Sequence, residues 1–187
     1  MKSTIKSELI NHRNEFSKFL EMEDEIYNLY KKFELAVIEN KKILIMGNGG
    51  SAADAQHFAA ELVVKFEKVR KPIKSIALTT DSSILTATGN DFNFTDIFSR
   101  QIEALAEKND LVVGISTSGS SKNILKGLKS AKKVSAKTLI FTGSKKVNKD
   151  YIDYEFNAPS STTSRIQEIH LVTYHIICKL IDRLFDN

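Results

Sequence analysis

The sequence has few of the residues that stabilise secreted or membrane proteins. It contains one cysteine, two prolines and no tryptophan among 187 residues. Its cysteine, Cys178, can form no internal disulfide, and the apolar stretch YHIICKLIDRLF around it predicts core packing. No apolar run reaches the roughly 18 residues that span a bilayer, and the charged start MKSTIKSELINHRNEF lacks the apolar segment of a secretory signal. These absences predict a cytoplasmic protein without a membrane association.

The composition is that of a soluble globular protein, with 42% hydrophobic and 27% charged residues. Its length favours one domain over residues 1–187. The formal net charge is +4, but the lysines are scattered and no zinc-finger, RNP or helix-turn-helix pattern is present. We therefore expect no nucleic-acid partner. The positive net charge is instead suited to binding anionic small molecules.

Apolar residues recur at helical intervals through residues 1–40, which predicts two helices, or one helix interrupted near Glu21–Asp24. The apolar stripe of this helical hairpin needs a surface, either the sheet of this domain or a second subunit, and a contribution to oligomerisation is expected. From residue 41 short apolar strands alternate with helices, which predicts a doubly wound parallel α/β core over residues 41–187. The strands are KILIMG, SIALTT, LVVGIS, KTLIFT and DYEFNA; helices are expected over Ser51–Phe66, from Ser82, over Asp96–Ala106, over Ser121–Lys133 and over Ser164–Phe185.

Ligands of such sheets bind beyond the carboxyl ends of the strands. That rule points to the loops Gly47–Ser51, Thr80–Ser83 and Ser116–Ser121, together with whatever the last helix brings over them.

The first loop has two interpretations. Gly47, Gly49 and Ala52 fit the dinucleotide pattern G-x-G-x-x-G/A, but the acidic residue expected about 20 residues further on is missing, since Asp81 lies about thirty residues beyond Ala52. The following helix instead carries His57 and Glu61 on one face, which a dinucleotide site does not need. A surface His–Glu contact is the alternative explanation of this pair.

The stretch GISTSGSS, residues 114–121, places hydroxyls and backbone N–H groups at a helix N-terminus. It lacks the Gly-Lys-Ser/Thr of a nucleotide P-loop, so a monophosphate is the expected ligand. The alternative is an N-capping box whose remaining serines have no binding role.

The last helix carries Gln167, Glu168, His170 and His175. His170 and His175 point about 140° apart and cannot serve one site. Helical angles alone pair His175 with Glu168, about 20° away, before Gln167, about 80° away. A histidine among apolar residues can also be a core group, and this alternative stays open for His175.

Four segments together resemble the sedoheptulose 7-phosphate (phosphoheptose) isomerases of the sugar-isomerase (SIS) domain family: GNGGSAADAQHFAAEL, TGNDFNFTDIFSRQIEAL, GISTSGSS and SRIQEIHLVTYH. The resemblance covers nearly the whole chain. It implies a three-layer fold with a five-stranded parallel sheet between helices, a homotetramer, and active sites at subunit interfaces. It also implies conversion of sedoheptulose 7-phosphate to D-glycero-D-manno-heptose 7-phosphate, the first step towards the activated heptoses of surface polysaccharides.

Carried over residue by residue, the resemblance implies one zinc ion per subunit, held by His57, Glu61, Gln167 and His175. This motif assigns Gln167, in place of Glu168, which helical angles alone favour. Glu61 and His175 double as the acid–base pair of an isomerisation through an enediol. The implied substrate contacts are Asn48, Gly49, Gly50, Asn90, Asp91, Ser116, Thr117, Ser118, Ser121 and Gln167. Ser51 is expected to cap its helix and to contact the substrate.

The chain departs from the family pattern at Lys65, where many members have Arg, and at Ser164, where several have Asp. Both changes bear on sugar selectivity more than on reaction class. The competing hypothesis is a non-catalytic SIS adaptor that binds a protein partner, similar to the replication-initiator-associating proteins. Such proteins tend to lack the glutamate and the second histidine, whereas this chain retains Glu61 and His175. The heptose pathway, the physiological metal and the division of acid and base roles are left open.

Overall fold

The structure, a computed structural model, describes residues 1–186. Two helices come first, α1 (Lys2–Phe19) and α2 (Glu23–Ile38), and the break between them falls where the sequence predicted it. One face of α2 is buried, whereas α1 buries only Phe19 and leaves Ile5 and Leu9 62% and 67% exposed. The two helices therefore differ in role: α2 covers the core, and α1 presents apolar side chains to the surface.

Five parallel strands form one sheet in the order β2-β1-β3-β4-β5, which confirms the predicted fold class. Parallel strands need crossover connections; helices provide these as far as β4, and a loop over residues 143–153 connects β4 to β5. The strands are β1 (Ile43–Gly47), β2 (Ser75–Ala77), β3 (Leu111–Ile115), β4 (Lys137–Thr142) and β5 (Tyr154–Asn157). The helices are α3 (Gly50–Val63), α4 (Ser82–Asp91), α5 (Ser99–Leu105), α6 (Lys122–Lys133) and α7 (Thr163–Asp182).

The sheet separates two apolar cores, as the predicted three-layer arrangement requires. Successive side chains of a strand point to opposite faces, so Ile43 and Ile45 pack towards α2, α3 and α7 while Leu44 and Met46 pack towards α5 and α6. Because helices cover both faces of the sheet, β1 and β3 are apolar at every position. Within residues 1–186, no helix combines the length and the apolar character that crossing a membrane requires.

Some predicted bounds differ because tertiary contacts end the elements early. Helix α3 stops at Val63 instead of Phe66, since the backbone N–H groups of Glu67 and Lys68 bond to the carboxylate of Asp182 and not to their own helix. Residues 96–106 do not form one helix. A 3₁₀ turn, Phe94–Asp96, precedes α5, which begins only at Ser99.

His170 is fully buried, with Nε2 3.0 Å from the carbonyl oxygen of Thr142. Burial lowers the pKa of His170 to about 4, and the Thr142 contact offsets this only in part. The folded protein keeps the ring neutral while the unfolded chain protonates it near its ordinary value. Protonation of the unfolded chain lowers the free energy of unfolding. The buried neutral ring therefore reduces stability least above about pH 6.5, and the free energy of unfolding decreases as the pH falls from there towards 4.

We expect wild type to lose about 2 kcal/mol more unfolding free energy than His170→Gln between pH 7 and pH 5. Denaturant titrations at the two pH values, at one protein concentration, measure the difference. Equal losses in both proteins would contradict a neutral, buried His170.

Candidate active site

The site lies where the strand order changes direction, between β1 and β3. These strands are neighbours in the sheet, so the loops that follow them, Gly47–Ser51 and Ser116–Ser121, leave the same edge side by side. A reciprocal amide pair joins the two regions: Asn48 Nδ2 donates to Asn123 Oδ1 at 2.9 Å, and Asn123 Nδ2 donates to Asn48 Oδ1 at 2.8 Å. The predicted convergence of the two loops is thus present in the structure.

Close packing explains the glycines of the first loop. A Cβ on Gly47 would lie 2.2 Å from the carbonyl oxygen of Ser51, and Gly49 has a positive φ of 54°. A Cβ on Gly50 would lie 2.5 Å from Nε2 of Gln167, so helix α7 closes over this loop. Helix α3 begins at Gly50 with Gly49 as its N-cap, which corrects the expectation that Ser51 caps it.

The second loop gathers hydroxyls at the start of α6. Ser116 Oγ donates to Ser121 Oγ at 3.0 Å, and Ser118 Oγ accepts from the backbone N–H of Ser120 at 3.2 Å. Gly119 has a positive φ of 65°. Among the described contacts, Ser121 occupies the N-cap position without a side-chain capping bond. The N-capping alternative therefore does not account for the serines, and the positive end of the helix dipole faces the loop.

Two histidines and a glutamate meet beyond the first loop, where α3 packs on α7. His57 Nε2 lies 3.1 Å from Glu61 Oε1, and the rings of His57 and His175 are 5.0 Å apart edge to face. The Glu61 side chain is 23% exposed, so it is more shielded than a solvated surface carboxylate. The His57–Glu61 pair is therefore part of a cluster and not an isolated surface contact.

The electrostatics of this cluster favour a neutral His175. Burial lowers the pKa of His175, the neighbouring His57 lowers it further, and Glu61 partly offsets both effects. The Nε2 atom of His175 is buried and has no hydrogen-bond partner among the described residues. A neutral imidazole has one ring nitrogen without a hydrogen, and that nitrogen can take up a proton or bind a metal ion.

The side chains of the cluster suit a metal ion in type. Two imidazoles and a carboxylate are ligands that zinc prefers, and the unpartnered His175 Nε2 offers a lone pair. The residues of the described chain nevertheless include no group of three His, Cys, Asp or Glu side chains already placed around one point. Gln167, the fourth predicted ligand, lies against Gly50.

Glu168, which the angular analysis favoured, faces away from the cluster. Its carboxylate pairs with His12 of α1 at 2.7 Å and with Arg165 at 2.7 Å. Rotation about the helix axis alone does not determine a partner, and the packing of α1 on α7 gives Glu168 its partner in His12.

Asn90 and Asp91 lie at the exposed C-terminal end of α4, where Asn90 Nδ2 donates to Asp91 Oδ1 at 2.8 Å. No hydrogen bond within residues 1–186 joins them to the two loops. Asp81, the acidic residue considered for a ribose, instead caps α4 by accepting the N–H of Ile84 at 2.9 Å. The dinucleotide interpretation therefore lacks its ribose ligand.

Comparisons with known proteins identify the family. A model of the SIS domain matches residues 12–143. The phosphoheptose isomerase of Nitratiruptor sp. is 47% identical over 183 residues, 97% of this chain and 98% of that protein. That of Aquifex aeolicus is 51% identical over 150 residues, 80% of this chain and 78% of that protein. The chain belongs to the phosphoheptose isomerases of the SIS domain family.

Solved structures of the phosphoheptose isomerase family have the same fold. The enzyme from Neisseria gonorrhoeae matches with a TM-score of 0.89 at 34% identity, covering 97% of this chain and 98% of that one. The predicted membership and the predicted isomerase class are confirmed. Nothing in the comparisons supports the adaptor hypothesis.

Three polar residues of the candidate site in this phosphoheptose isomerase were not predicted from the sequence. Asn123 holds Asn48, and Tyr174 and Asp54 lie behind His57. Asp54 could have been found, since it precedes His57 by three residues and so shares its helix face. Asn123 and Tyr174 contact residues far along the chain, and no local pattern marks such contacts.

Proposed function

We propose that this chain interconverts sedoheptulose 7-phosphate and D-glycero-D-manno-heptose 7-phosphate, as the first step towards activated heptoses. The observation that carries this proposal is that a carboxylate–imidazole cluster on α3 and α7 and a serine-lined N-terminus of α6 follow the neighbouring strands β1 and β3. An aldose–ketose isomerase of a sugar phosphate needs both parts: groups that move protons and a site that holds the phosphate.

The phosphate is assigned to the second loop. Ser116, Thr117, Ser118 and Ser121 provide hydroxyl groups there, and the first turn of α6 provides backbone N–H groups. The helix dipole favours an anion at this point, and hydroxyl donors suit a monophosphate. Fixing the phosphate there would position the remainder of the sugar at the carboxyl ends of β1 and β3, towards Glu61.

The sugar is assigned to the first loop, which consists of Asn48, Gly49, Gly50 and Ser51, with Gln167 on its other side. Asn90 and Asp91 are exposed on α4, so we propose that they reach the substrate bound by a neighbouring subunit of a homotetramer. The apolar side chains that α1 exposes are consistent with burial between subunits. We propose further that residues 1–187 form one domain and that the enzyme is cytoplasmic.

Glu61 and His175 are assigned the proton transfers. One group removes a proton from C1 of the ketose and returns it to C2, while the other moves protons between the two oxygens. Glu61 is assigned the carbon-bound proton. His175, kept neutral by its surroundings, can accept a proton from one oxygen and deliver it to the other. The intermediate of this exchange is an enediol.

A zinc ion is proposed at His57, Glu61, Gln167 and His175, one per subunit. Bound there, zinc would supply a Lewis acid that polarises a carbonyl oxygen. The remaining tasks fall to the protein: Gln167 orients the substrate beside Gly50, and the packing of α7 on α3 shields Glu61 and His175 in part from water.

The proposal is tested by incubating the purified protein, with zinc supplied, with sedoheptulose 7-phosphate and following the aldose anomeric proton by NMR. A parallel reaction with a six-carbon ketose phosphate measures the selectivity that Lys65 and Ser164 bear on. Formation of heptose 7-phosphate is expected. No product from either sugar would contradict the proposal and would favour the adaptor hypothesis.

The Asn48–Asn123 pair leads to a separate prediction for substrate binding. Asn123→Ala removes both hydrogen bonds that hold Asn48, about 1–3 kcal/mol in total, so KM should rise about tenfold while kcat changes little. Steady-state kinetics measure this, with Asn28→Ala on the exposed face of α2 as the matched control. An unchanged KM would show that Asn48 needs no such support.

A further inference from the structure

Tyr174 lies in the middle of the cluster, although nothing in the sequence assigned it a role there. It is 1% exposed and stacks on Phe58 with ring centroids 5.0 Å apart. Its ring lies edge to face with those of His57 and His175, with ring centroids 5.5 Å and 4.9 Å apart. A phenylalanine would make all of these ring contacts, so the hydroxyl group is the feature that calls for explanation.

The hydroxyl joins two groups of helix α3. Its oxygen is 3.0 Å from Nδ1 of His57 and 3.4 Å from Oδ1 of Asp54. Asp54 is half-buried, whereas the His57 ring is 44% exposed on its far side, where Nε2 faces Glu61. A linear chain of polar groups therefore runs from Asp54 through Tyr174 to His57 and on to Glu61.

The protons of this chain are coupled. A neutral imidazole carries one N–H, and a metal ligand must keep the lone pair on the nitrogen that binds. If Nε2 of His57 binds a metal ion, the ring proton lies on Nδ1 and is donated to the oxygen of Tyr174. Tyr174 must then donate its own proton elsewhere, and Asp54 is the acceptor in reach.

The opposite arrangement leaves Nε2 unsuited to a metal. If Tyr174 donates to Nδ1, the ring proton moves to Nε2 and is donated to Glu61 Oε1, 3.1 Å away. The two arrangements compete for the same ring, and Asp54 favours the first one because its carboxylate can only accept a proton, with Oδ1 3.4 Å from the tyrosine oxygen.

We propose that Tyr174 and Asp54 are positioning residues that hold His57 with its proton on Nδ1, and so set the affinity of the cluster for its metal ion. This inference rests on the zinc site of the proposed function. Partners of this kind behind a metal-binding histidine change metal affinity about 10–100-fold when removed.

The test uses the purified full chain and zinc alone. Zinc affinity is measured by competition with a chromophoric chelator for wild type, Tyr174→Phe, Asp54→Ala and Asp54→Asn. We expect affinity to fall about 10–100-fold in Tyr174→Phe and in Asp54→Ala. The zinc affinity of Asp54→Asn should fall less, because the amide keeps an acceptor oxygen. The double variant, Tyr174→Phe with Asp54→Ala, should bind zinc no more weakly than either single variant, because the two groups act in series.

A spectroscopic measurement separates positioning from a general loss of packing. The chain has four histidines, so ¹⁵N shifts of labelled histidine can be assigned by single substitutions. Tyr174→Phe should shift the His57 ring towards the Nε2-protonated form. Tyr30→Phe is the matched control, since it removes a buried tyrosine hydroxyl that bonds to Glu34, outside the cluster.

The outcomes are distinguishable. If His57→Ala weakens zinc binding but Tyr174→Phe and Asp54→Ala leave both affinity and ¹⁵N shifts unchanged, the positioning role is wrong while the zinc site stands. If His57→Ala leaves zinc affinity unchanged, the zinc site and the positioning role are both wrong. Asp54→Ala, at a half-exposed position, provides the readout should Tyr174→Phe fail to fold.

Discussion

Glu61→Gln is expected to lower kcat for sedoheptulose 7-phosphate by about a thousandfold or more, because the amide keeps the size of the side chain but cannot accept a proton from carbon. KM should change much less. His175→Ala should lower kcat by about 10²–10⁴-fold, since it removes the group proposed to move protons between the oxygens. Product formation by NMR and steady-state kinetics measure both effects.

A matched control lies a few residues further on. Glu67→Gln makes the same chemical change at a side chain that is 53% exposed and pairs with Lys179, so its kcat should equal that of wild type. Zinc content is measured for each protein, because Glu61 is also a proposed ligand. Activity of Glu61→Gln within about tenfold of wild type would exclude Glu61 as the base.

The second large effect concerns stability. Asp182→Ala should lower the free energy of unfolding by about 3–5 kcal/mol, because it leaves a buried guanidinium without its counterion. The Arg70 side chain is 0% exposed and its Nε donates to Asp182 Oδ1 at 2.7 Å. The same carboxylate also accepts the N–H groups of Glu67 and Lys68, so three donors lose their acceptor. Denaturant titration at a fixed protein concentration measures the loss.

The ion pair Lys68–Asp186 provides the control, since both side chains are about half exposed. Asp186→Ala should cost less than about 1 kcal/mol. A similar cost for the two substitutions would contradict the importance of burial. Arg70 also donates to the carbonyl oxygens of Glu61 and Leu62 at 2.8 Å each, so the pair ends α3 directly beside the proposed base.

The Asp182 contribution should depend on pH. Burial raises the pKa of Asp182, but the N–H of Lys68, the Arg70 guanidinium and the N–H of Glu67 together hold it below its ordinary value. The stabilisation is therefore present above the pKa of an unfolded aspartate, about 3.9, and is lost as the pH falls through the lower folded value. The difference between wild type and Asp182→Ala should shrink in this acidic range.

The order of strands and helices was predictable because burial of both sheet faces makes the strands continuously apolar, as in ILIMG and LVVGI. Helix ends were less predictable. Asp182 ends α3 from a position more than a hundred residues away, and such contacts leave no local pattern.

The site was predictable where chemistry is local, and not where it depends on tertiary contacts. His57 and Glu61 share one helix face, and the serines sit at one helix start, so their spacing alone marks them. Gln167 and Glu168 are neighbours on α7, and only the packed structure shows that the first lies against Gly50 and the second against His12.

A crystal structure of Glu61→Gln with sedoheptulose 7-phosphate bound tests most directly where the substrate lies. We expect the phosphate at Ser116–Ser121 and the carbonyl end of the sugar beside residue 61 and His175. Substrate bound elsewhere would contradict this expectation. One such place is the cavity of about 500 Å³ at the opposite edge of the sheet, lined by Lys32, Lys137 and Tyr154 among others.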